Sequence, residues 1–375
     1  MLIKNGFVFT KKFQFEKKDI LIKDGKICEI SDAIDESNLR STEEIVDASG
    51  LRIIPGLTDI HFHGCVGYDF CDGTDEAIRN MAKFQLTKGV TNICPATMTL
   101  SLETLKKICS VAAHHNASGD EAVLCGINLE GPCISPDRCG AQNPEYVHKP
   151  DIEFLKELIK ESNSLTKLVT IAPEVQGAIE CIKSLKDKIR FSVGHTMANY
   201  DEAKAAFDAG ARHVTHLFNA MPGLTHREPG VIGAAVENED VMAEIICDGI
   251  HIHPSAIRAA FQLFGDDRII LISDSTRACG MEEGEYELGG LPVFLKDGAV
   301  RLEDGTLAGS ATNVYDCMVN VIKMGIPENS AIKAATYNPA KAIGILDECG
   351  TLEKGKAARM VLIDDNYQIK RVIKE

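Results

Sequence analysis

The sequence predicts an α/β fold: a (β/α)8 TIM barrel with a small β-sandwich domain formed by the N- and C-terminal segments. Eight short apolar runs alternate with helical segments through the middle of the chain, whereas both ends are strand-rich and lack this alternation. Eight parallel strands joined by crossover helices imply a closed barrel. The 375 residues are enough for a barrel of roughly 250 residues and a smaller domain.

Both ends of the chain carry the strand signals of the small domain. Leu2–Thr10 and Asp19–Ile30 contain alternating apolar positions, and Asp24-Gly25 marks a hairpin turn within the second segment. Three further strand-like segments lie at the C-terminus: Gly350–Leu352, Met360–Ile363 and Ile369–Ile373. We therefore expect a discontinuous small domain of residues 1–53 and 346–375, with the barrel between them at residues 54–345.

Eight candidate strands make up the predicted barrel. They are Leu57–His63, Val90–Pro95, Val123–Glu130, Leu168–Pro173, Arg190–His195, His213–His216, Met242–Asp248 and Arg268–Asp274. Helical patterns separate most of them, as at Asp75–Lys88, Ser101–Ala117, Asp151–Ser162 and Tyr200–Ala209. The helix is least evident between the sixth and seventh strands, where prolines and glycines in residues 222–230 indicate a long loop. Two more helices, at 312–324 and 328–336, follow the eighth strand.

The composition argues against several kinds of partner and location. Acidic residues outnumber basic ones by 55 to 40, and a net charge of −15 disfavours nucleic acid or an anionic membrane as a partner. The N-terminus lacks the apolar core of a signal peptide, and no apolar stretch reaches the ~18 residues that a membrane span needs. The thirteen cysteines are scattered and form no CxxC pair, so we expect free thiols and a cytoplasmic protein.

Four histidines and two carboxylates predict a metal centre. They follow five of the candidate strands, whose downstream ends converge in a barrel on the face where active sites lie. The six are His61, His63, Glu130, His195, His216 and Asp274. His61 and His63 are two residues apart on a strand, so their side chains share one side, and Glu130 can bridge two ions. Such ligands suit one or two divalent transition metal ions, with Zn or Fe preferred and Mn or Co as alternatives.

The six residues together are stronger evidence for a metal centre than any one of them alone. A single histidine usually has a structural role, but a structural explanation here requires five independent polar groups to fall on strand ends by accident. His251 follows Asp248-Gly249 in the loop after the seventh strand. This position is on the same face of the barrel, and we expect His251 to contact a substrate.

Several motifs resemble a known family. Pro55–Gly64, which reads PGLTDIHFHG, resembles the opening signature of the amidohydrolase superfamily. Five further motifs are similar, more specifically, to the N-acetylglucosamine-6-phosphate deacetylase family: Leu129–Pro132, Gly194–Thr196, Thr215–Met221, Arg227–Gly230 and Ser273-Asp274. The resemblance covers nearly the whole chain, and the HLFNAM and REPG segments are distinctive within the superfamily.

The resemblance implies a fold, an activity and a set of site residues. It implies the barrel with its β-sandwich, a homodimer, and removal of acetate from N-acetyl-D-glucosamine 6-phosphate in amino-sugar catabolism and cell-wall sugar recycling. Metal binding carries over to Glu130, His195 and His216, and the catalytic role to Asp274. Substrate contacts carry over to Ala141, Gln142, Asn219, Ala220, Arg227, His251, Leu307, Ala308, Gly309 and Ser310.

Two positions bear on how closely the chain follows the family. Some members lack the His-x-His pair and hold one metal ion, whereas this chain keeps His61 and His63, which favours two. Gln142 stands where other members carry histidine, which leaves its contact to the substrate open.

The residues also predict a mechanism and leave alternatives. We expect hydroxide generated at the metal to attack the acetyl carbonyl, with Asp274 as general base and then general acid, and Arg227 to bind the phosphate. The galactosamine epimer, or another amide within the superfamily, remains as a different substrate. A non-catalytic barrel that serves as an assembly scaffold is the alternative from another class, but such proteins typically lose metal ligands.

Overall fold

The structure is a computed structural model that describes residues 1–36 and 44–374. Residues 37–43 and Glu375 of the predicted small domain therefore lie outside the described residues. The strands, numbered along the chain, are β1 (Leu2–Phe9), β2 (Phe15–Lys23), β3 (Lys26–Ser31), β4 (Ile45–Asp47), β5 (Arg52–Pro55), β6 (Leu57–Asp59), β7 (Gly64–Cys65), β8 (Tyr68–Asp69), β9 (Val90–Ile93), β10 (Ala96–Thr97), β11 (Val123–Leu124), β12 (Ile127–Leu129), β13 (Thr166–Ile171), β14 (Arg190–Val193), β15 (His213–Val214), β16 (Met242–Ile246), β17 (Ile269–Ile272), β18 (Gly284–Leu288), β19 (Leu291–Lys296), β20 (Ala299–Arg301), β21 (Leu307–Ser310), β22 (Arg359–Ile363) and β23 (Ile369–Lys374).

The α-helices occupy the segments between and after the central strands. They are α1 (Asp75–Thr87), α2 (Leu102–His114), α3 (Ile152–Glu161), α4 (Ala178–Leu185), α5 (Tyr200–Ala209), α6 (Gly230–Glu237), α7 (Pro254–Phe264), α8 (Val314–Lys323), α9 (Glu328–Ala335) and α10 (Tyr337–Ala342). Local signals define several starts, because side chains at Thr74, Ser101 and Asp151 each accept a hydrogen bond from a backbone N–H of the first turn. A helix also follows the sixth barrel strand, after the long loop that the prolines and glycines predicted.

Strands from both chain ends form one seven-stranded sheet. Its order is β23-β22-β5-β1-β2-β3, and β4 pairs with β1. The predicted hairpin is confirmed: β2 and β3 are joined by Asp24-Gly25, whose φ angles of 51° and 71° suit a tight hairpin turn. The strand prediction at Gly350–Leu352 is wrong, because those residues lie outside the strands, although Leu352 is buried in the core of the sheet.

The sheet folds back on itself around a separate core. Alternate residues of its strands, such as Ile20 and Ile22 of β2 and Met360 and Leu362 of β22, are buried together. A bridge from Lys26 to Ala357 links the far edge of the sheet to the segment before β22. The predicted small β-sandwich beside a barrel is thus confirmed as the fold class, while its residue bounds stay a prediction.

The central strands form a parallel barrel. Seven of them pair in the order β10-β12-β13-β14-β15-β16-β17, and β6, β9 and β11 pair as a second parallel set. Strands β9 and β10 are successive parts of the second barrel strand, and β11 and β12 of the third, so all eight predicted strands are present. The ring closes where the backbone N–H of Asp274 donates to the carbonyl of His61 at 2.9 Å.

A buried polar contact reinforces this closure. The Ser273 hydroxyl donates to the Asp59 carboxylate at 2.5 Å, and the backbone N–H of His61 donates to the same carboxylate at 3.2 Å. Apolar side chains such as Ile270 and Ile272 fill the interior below, together with Ile343 from the turn after α10. The first and last barrel strands are therefore held together by both hydrogen bonds and core packing.

An antiparallel four-stranded sheet, which was not predicted from the sequence, follows the eighth barrel strand. Strands β18 to β21 pair in sequence order, with tight turns at Gly289-Gly290 and Asp297-Gly298. The Asp-Gly turn was an available signal. A bridge between Ser275 and Ser310 attaches the last of these strands to the end of the barrel strand.

Two further properties concern the cysteines and the helices. All thirteen cysteines fall in the part of the chain that the structure describes, and each carries a free thiol, as predicted. Among the residues described, no helix combines the length and the apolar character that crossing a membrane requires.

Loss of the Ser273 hydroxyl should destabilise the closed barrel. Ser273→Ala leaves a buried Asp59 oxygen without its donor, which should lower the free energy of unfolding by about 1–3 kcal/mol. Urea unfolding measures this effect. Ser184→Ala, on the exposed side of α4, is the control and should change stability by less than ~0.5 kcal/mol. Equal stability of the two variants would show that the contact does not hold the strands together.

Candidate metal centre and active site

The polar residues at the strand ends lie where the backbone turns sharply. His195, His216 and Asp274 have φ angles of 45°, 26° and 49°, in the left-handed region that side chains other than glycine rarely adopt. Such conformations cost about 1–3 kcal/mol each and cluster at functional sites. The turns bring these side chains to the mouth of the barrel.

Glu130, His195 and His216 form what we call the first ligand group. The Nε2 atoms of His195 and His216 lie 3.2 and 3.0 Å from Oε1 of Glu130. The same two nitrogens are 3.0 Å apart. All three side chains are buried.

His61, His63 and Asp274 form the second ligand group. Nε2 of His63 lies 3.2 Å from Oδ1 of Asp274, and Nε2 of His61 lies 3.7 Å from the same oxygen. Glu130 lies between the two groups, because its Oε1 is 3.3 Å from Nε2 of His61 and its Oε2 is 3.2 Å from Nε2 of His63.

The donor atoms fit one or two divalent transition metal ions. The Nε2 atoms of His195 and His216 lie 3.0 Å apart and face the same oxygen of Glu130. Only one proton fits between the two nitrogens, so at least one of them presents a lone pair, as a metal ligand does. Nε2 of His61 is buried and has no hydrogen-bond partner among the described residues. Imidazole and carboxylate ligands in this arrangement suit Zn, Fe, Mn or Co, and they do not select among them.

The two carboxyl groups of the site, those of Glu130 and Asp274, keep a low pKa although they are buried. Burial by itself would raise the pKa of the Glu130 carboxyl, but the histidines around it outweigh this and hold the pKa well below its usual value. The pKa of Asp274 is lowered for the same reason: its hydrogen bond to His63 and the charge of His61 overcome the effect of burial. Both side chains are therefore available as carboxylates at neutral pH.

Contacts behind the ligands orient them. Nδ1 of His195 lies 2.9 Å from the carbonyl oxygen of Arg138, and Nδ1 of His61 lies 2.8 Å from Oε2 of Glu244. Gln142 donates to Oε2 of Glu130 at 2.5 Å and accepts from the backbone N–H of Thr99 at 2.6 Å. Gln142 thus acts as a support of the bridging carboxylate as well as a wall of the cavity.

A cavity of about 340 Å³ opens directly onto the two ligand groups. Most residues predicted for the site line it: His63, Glu130, Ala141, Gln142, His195, His216, Asn219, Ala220, His251, Asp274, Leu307 and Gly309. His61 is fully buried behind the lining. Nδ1 of His251 lies 2.7 Å from the Asp248 carboxylate, which holds the imidazole at the cavity wall.

Three predicted substrate contacts do not line the cavity of their own chain. Ala308 is buried in the core of the four-stranded sheet, and the Ser310 hydroxyl donates to the carbonyl of Ser273. Arg227 is exposed and makes no hydrogen bond or ion pair with a described residue. The structure therefore gives Ala308 and Ser310 supporting positions, and their substrate contacts, like that of Arg227, stay predictions.

Two functional candidates were missed by sequence reasoning. Arg138 lines the cavity, and its side chain has no carboxylate partner among the described residues. Its position in the loop after the third barrel strand was the available signal. Glu244 was marked by its charge within the otherwise apolar Met242–Ile246 segment, because a carboxylate in a fully buried strand requires partners.

The chain belongs to the amidohydrolase family, whose sequence profile matches residues 52–375. A relative from Bacillus subtilis (strain 168), an N-acetylglucosamine-6-phosphate deacetylase, is 35% identical over 98% of this chain and 94% of its own length. An N-acetylgalactosamine-6-phosphate deacetylase from Escherichia coli O157:H7 is 34% identical over 85% of each chain. A solved N-acetyl-D-glucosamine-6-phosphate deacetylase from Mycobacterium smegmatis, in complex with N-acetyl-D-glucosamine-6-phosphate, superposes with a TM-score of 0.91 at 30% identity and covers 100% of this chain and 97% of that one.

Substitution of the bridging carboxylate should remove metal from both groups. Glu130→Gln replaces one negative oxygen with an amide N–H that repels a cation, and Glu130 is the residue that approaches both groups. We expect the metal content, measured by elemental analysis after desalting, to fall to less than about a tenth of the wild-type value. Glu237→Gln, an exposed control, should keep the full content. A wild-type content in Glu130→Gln would contradict the bridging position.

Proposed function

We propose that the protein is a metal-dependent hydrolase that deacetylates N-acetyl-D-glucosamine 6-phosphate to D-glucosamine 6-phosphate and acetate. The observation that carries the proposal is the pair of ligand groups around Glu130 at the base of a cavity that Asp274 also lines. The relatives whose names specify this reaction support it, since their similarity extends over nearly the whole chain.

Different residues of the chain have different roles in the proposed amide hydrolysis. A divalent ion held by the two ligand groups would supply Lewis-acid polarisation of the acetyl carbonyl and acidify water. Asp274 is buried, ionised and at the cavity wall, so its carboxylate takes the proton from the attacking water. It then delivers that proton to the sugar nitrogen, because an amine must be protonated before it leaves.

The cavity wall supplies the contacts for the sugar and its phosphate. His251, which Asp248 orients, suits a sugar hydroxyl or the acetyl oxygen. Arg138 suits the phosphate, because its guanidinium can donate two hydrogen bonds to one anionic group. A cationic side chain at the cavity wall would also offset the negative charge of the acidic residues that line it, Glu130, Asp137 and Asp274.

The second candidate function is deacetylation of N-acetylgalactosamine 6-phosphate. The Escherichia coli relative with that name is 34% identical, a value similar to those of the glucosamine relatives. The two substrates differ in the configuration of one hydroxyl group. Acetate release from each sugar, and from the unphosphorylated sugar, with and without chelator and metal add-back, tests both functions. Chelator-sensitive release from the glucosamine substrate alone is the expected result.

We further propose a cytoplasmic homodimer. Met197 and Leu224, in loops that follow the fifth and sixth barrel strands, are 44% and 49% exposed. The resemblance to the deacetylase family implies a homodimer, and these two exposed apolar side chains are candidates for its contact. Light scattering coupled to size-exclusion chromatography should give twice the 40.7 kDa of one chain, and a mass of one chain would contradict the dimer.

Replacement of Asp274 should abolish turnover. Asp274→Asn removes the carboxylate that moves the proton and keeps the shape of the side chain, so we expect kcat to fall at least about a thousandfold. The ion at the first ligand group should remain, because Asp274 is not part of that group. Acetate release and elemental analysis on the same preparation measure the two effects. Near-normal turnover would exclude the proposed role.

Replacement of Arg138 should weaken binding of the phosphate. Arg138→Met keeps the apolar stem and loses a charged hydrogen-bond donor, which corresponds to about 1.5–3 kcal/mol and a ten- to hundredfold higher KM. Activity on the unphosphorylated sugar should not change. Arg227→Ala is measured in parallel, since Arg227 is the predicted phosphate ligand from the sequence, and Arg258→Met on α7 is the control. An unchanged KM in Arg138→Met would place the phosphate elsewhere.

A further inference from the structure

We propose that Glu244 is a positioning residue that holds His61 as its Nδ1–H tautomer and thereby allows the second ligand group to bind a metal ion. The inference rests on the metal centre of the proposed function. It concerns a residue on β16 that does not line the cavity and contacts the centre through the side chain of His61 and the backbone N–H of His216.

The buried carboxylate of Glu244 lies among three nitrogen donors. Its Oε2 is 2.8 Å from Nδ1 of His61 and accepts a hydrogen bond from the backbone N–H of His216 at 3.2 Å. Its Oε1 is 3.0 Å from Nε2 of His213. Glu244, His61 and His213 are all fully buried. No lysine or arginine forms an ion pair with Glu244 among residues 1–36 and 44–374, so the histidines are its partners.

The contact determines which nitrogen of His61 carries the proton. A carboxylate only accepts hydrogen bonds, so the facing Nδ1 of His61 must be protonated. In the neutral imidazole, which is the form that binds a metal ion, the opposite nitrogen Nε2 then presents its lone pair toward Glu130 and Asp274. A negatively charged acceptor behind a ligand histidine also makes the imidazole a stronger donor to the metal.

The effect on the metal-binding nitrogens should be confined to the second ligand group, because Glu244 reaches the first group only at the backbone N–H of His216. In the first group, Nδ1 of His195 lies against the carbonyl oxygen of Arg138, a backbone acceptor that Glu244 does not influence. Nδ1 of His216 has no partner among the described residues. His61 is thus the ligand whose tautomer depends on the side chain of Glu244.

The isosteric substitution Glu244→Gln tests the proposal. An amide offers one acceptor and one donor to two histidines that both donate. If His61 reverses its tautomer, Nε2 becomes protonated and cannot bind a metal ion. If His213 reverses instead, His61 faces an amide oxygen, which is a weaker acceptor than a carboxylate, so either arrangement weakens the second group. His213→Gln is the matched control, because its amide can still donate to Glu244.

Zinc binding to the metal-free protein supplies the readout, by competition with a chromophoric chelator and by elemental analysis after desalting. Wild type and His213→Gln should bind two ions per chain. Glu244→Gln should keep the first with unchanged affinity and bind the second about ten- to a hundredfold more weakly. A wild-type affinity for both ions in folded Glu244→Gln would overturn the proposal. So would loss of both ions, which would assign Glu244 to the whole centre, or a single ion in the wild type.

Acetate release by the wild type separates this inference from the proposed function. Activity of the wild type together with two tightly held ions in Glu244→Gln would refute the role of Glu244 alone. Two ions in the wild type, one in Glu244→Gln and no acetate release from any of the phosphorylated sugars would refute the proposed function and leave the positioning role intact.

Discussion

The negative charge of Glu130 is the feature on which the rest of the site depends. Four imidazole nitrogens from three different barrel strands lie 3.0–3.3 Å from its two oxygens. A buried carboxylate is costly unless charges or donors compensate it, and here the histidines and Gln142 do so. The same convergence makes the group a candidate metal site, so stability and the proposed function depend on one set of contacts.

The convergence of side chains on Glu130 requires strained backbone conformations, which the rest of the barrel must stabilise. His195, His216 and Asp274 each adopt a left-handed backbone conformation at a strand end. The hydrogen bonds that join the first and last strands, from Asp274 to His61 and from Ser273 to Asp59, keep those turns in place. The interior apolar side chains below them exclude water, which strengthens the electrostatic interactions of the site.

Periodicity predicted the barrel strands and most helices because each depends on apolar residues that are near in sequence. The predicted segment Tyr200–Ala209 coincides with α5, and the Asp24-Gly25 hairpin is present. The four-stranded sheet at residues 284–310 was missed although β19 shows the alternation of a strand with one buried face, because its antiparallel strands have no place in the strand–helix alternation of the barrel. Its last strand nevertheless brings Leu307 and Gly309 to the cavity, as the resemblance implied.

The sequence by itself determined the fold class, the family and the six residues of the candidate metal centre, since these follow from local patterns and motifs. Only the tertiary structure decided how they meet. It places Glu130 between the two ligand groups, supports His61 with Glu244, and lines the cavity with Arg138 rather than Arg227. Glu130 and His216 are 86 positions apart, and His61 and Glu244 are 183 apart. Contacts over such separations depend on how the strands close into a ring, which no local pattern encodes.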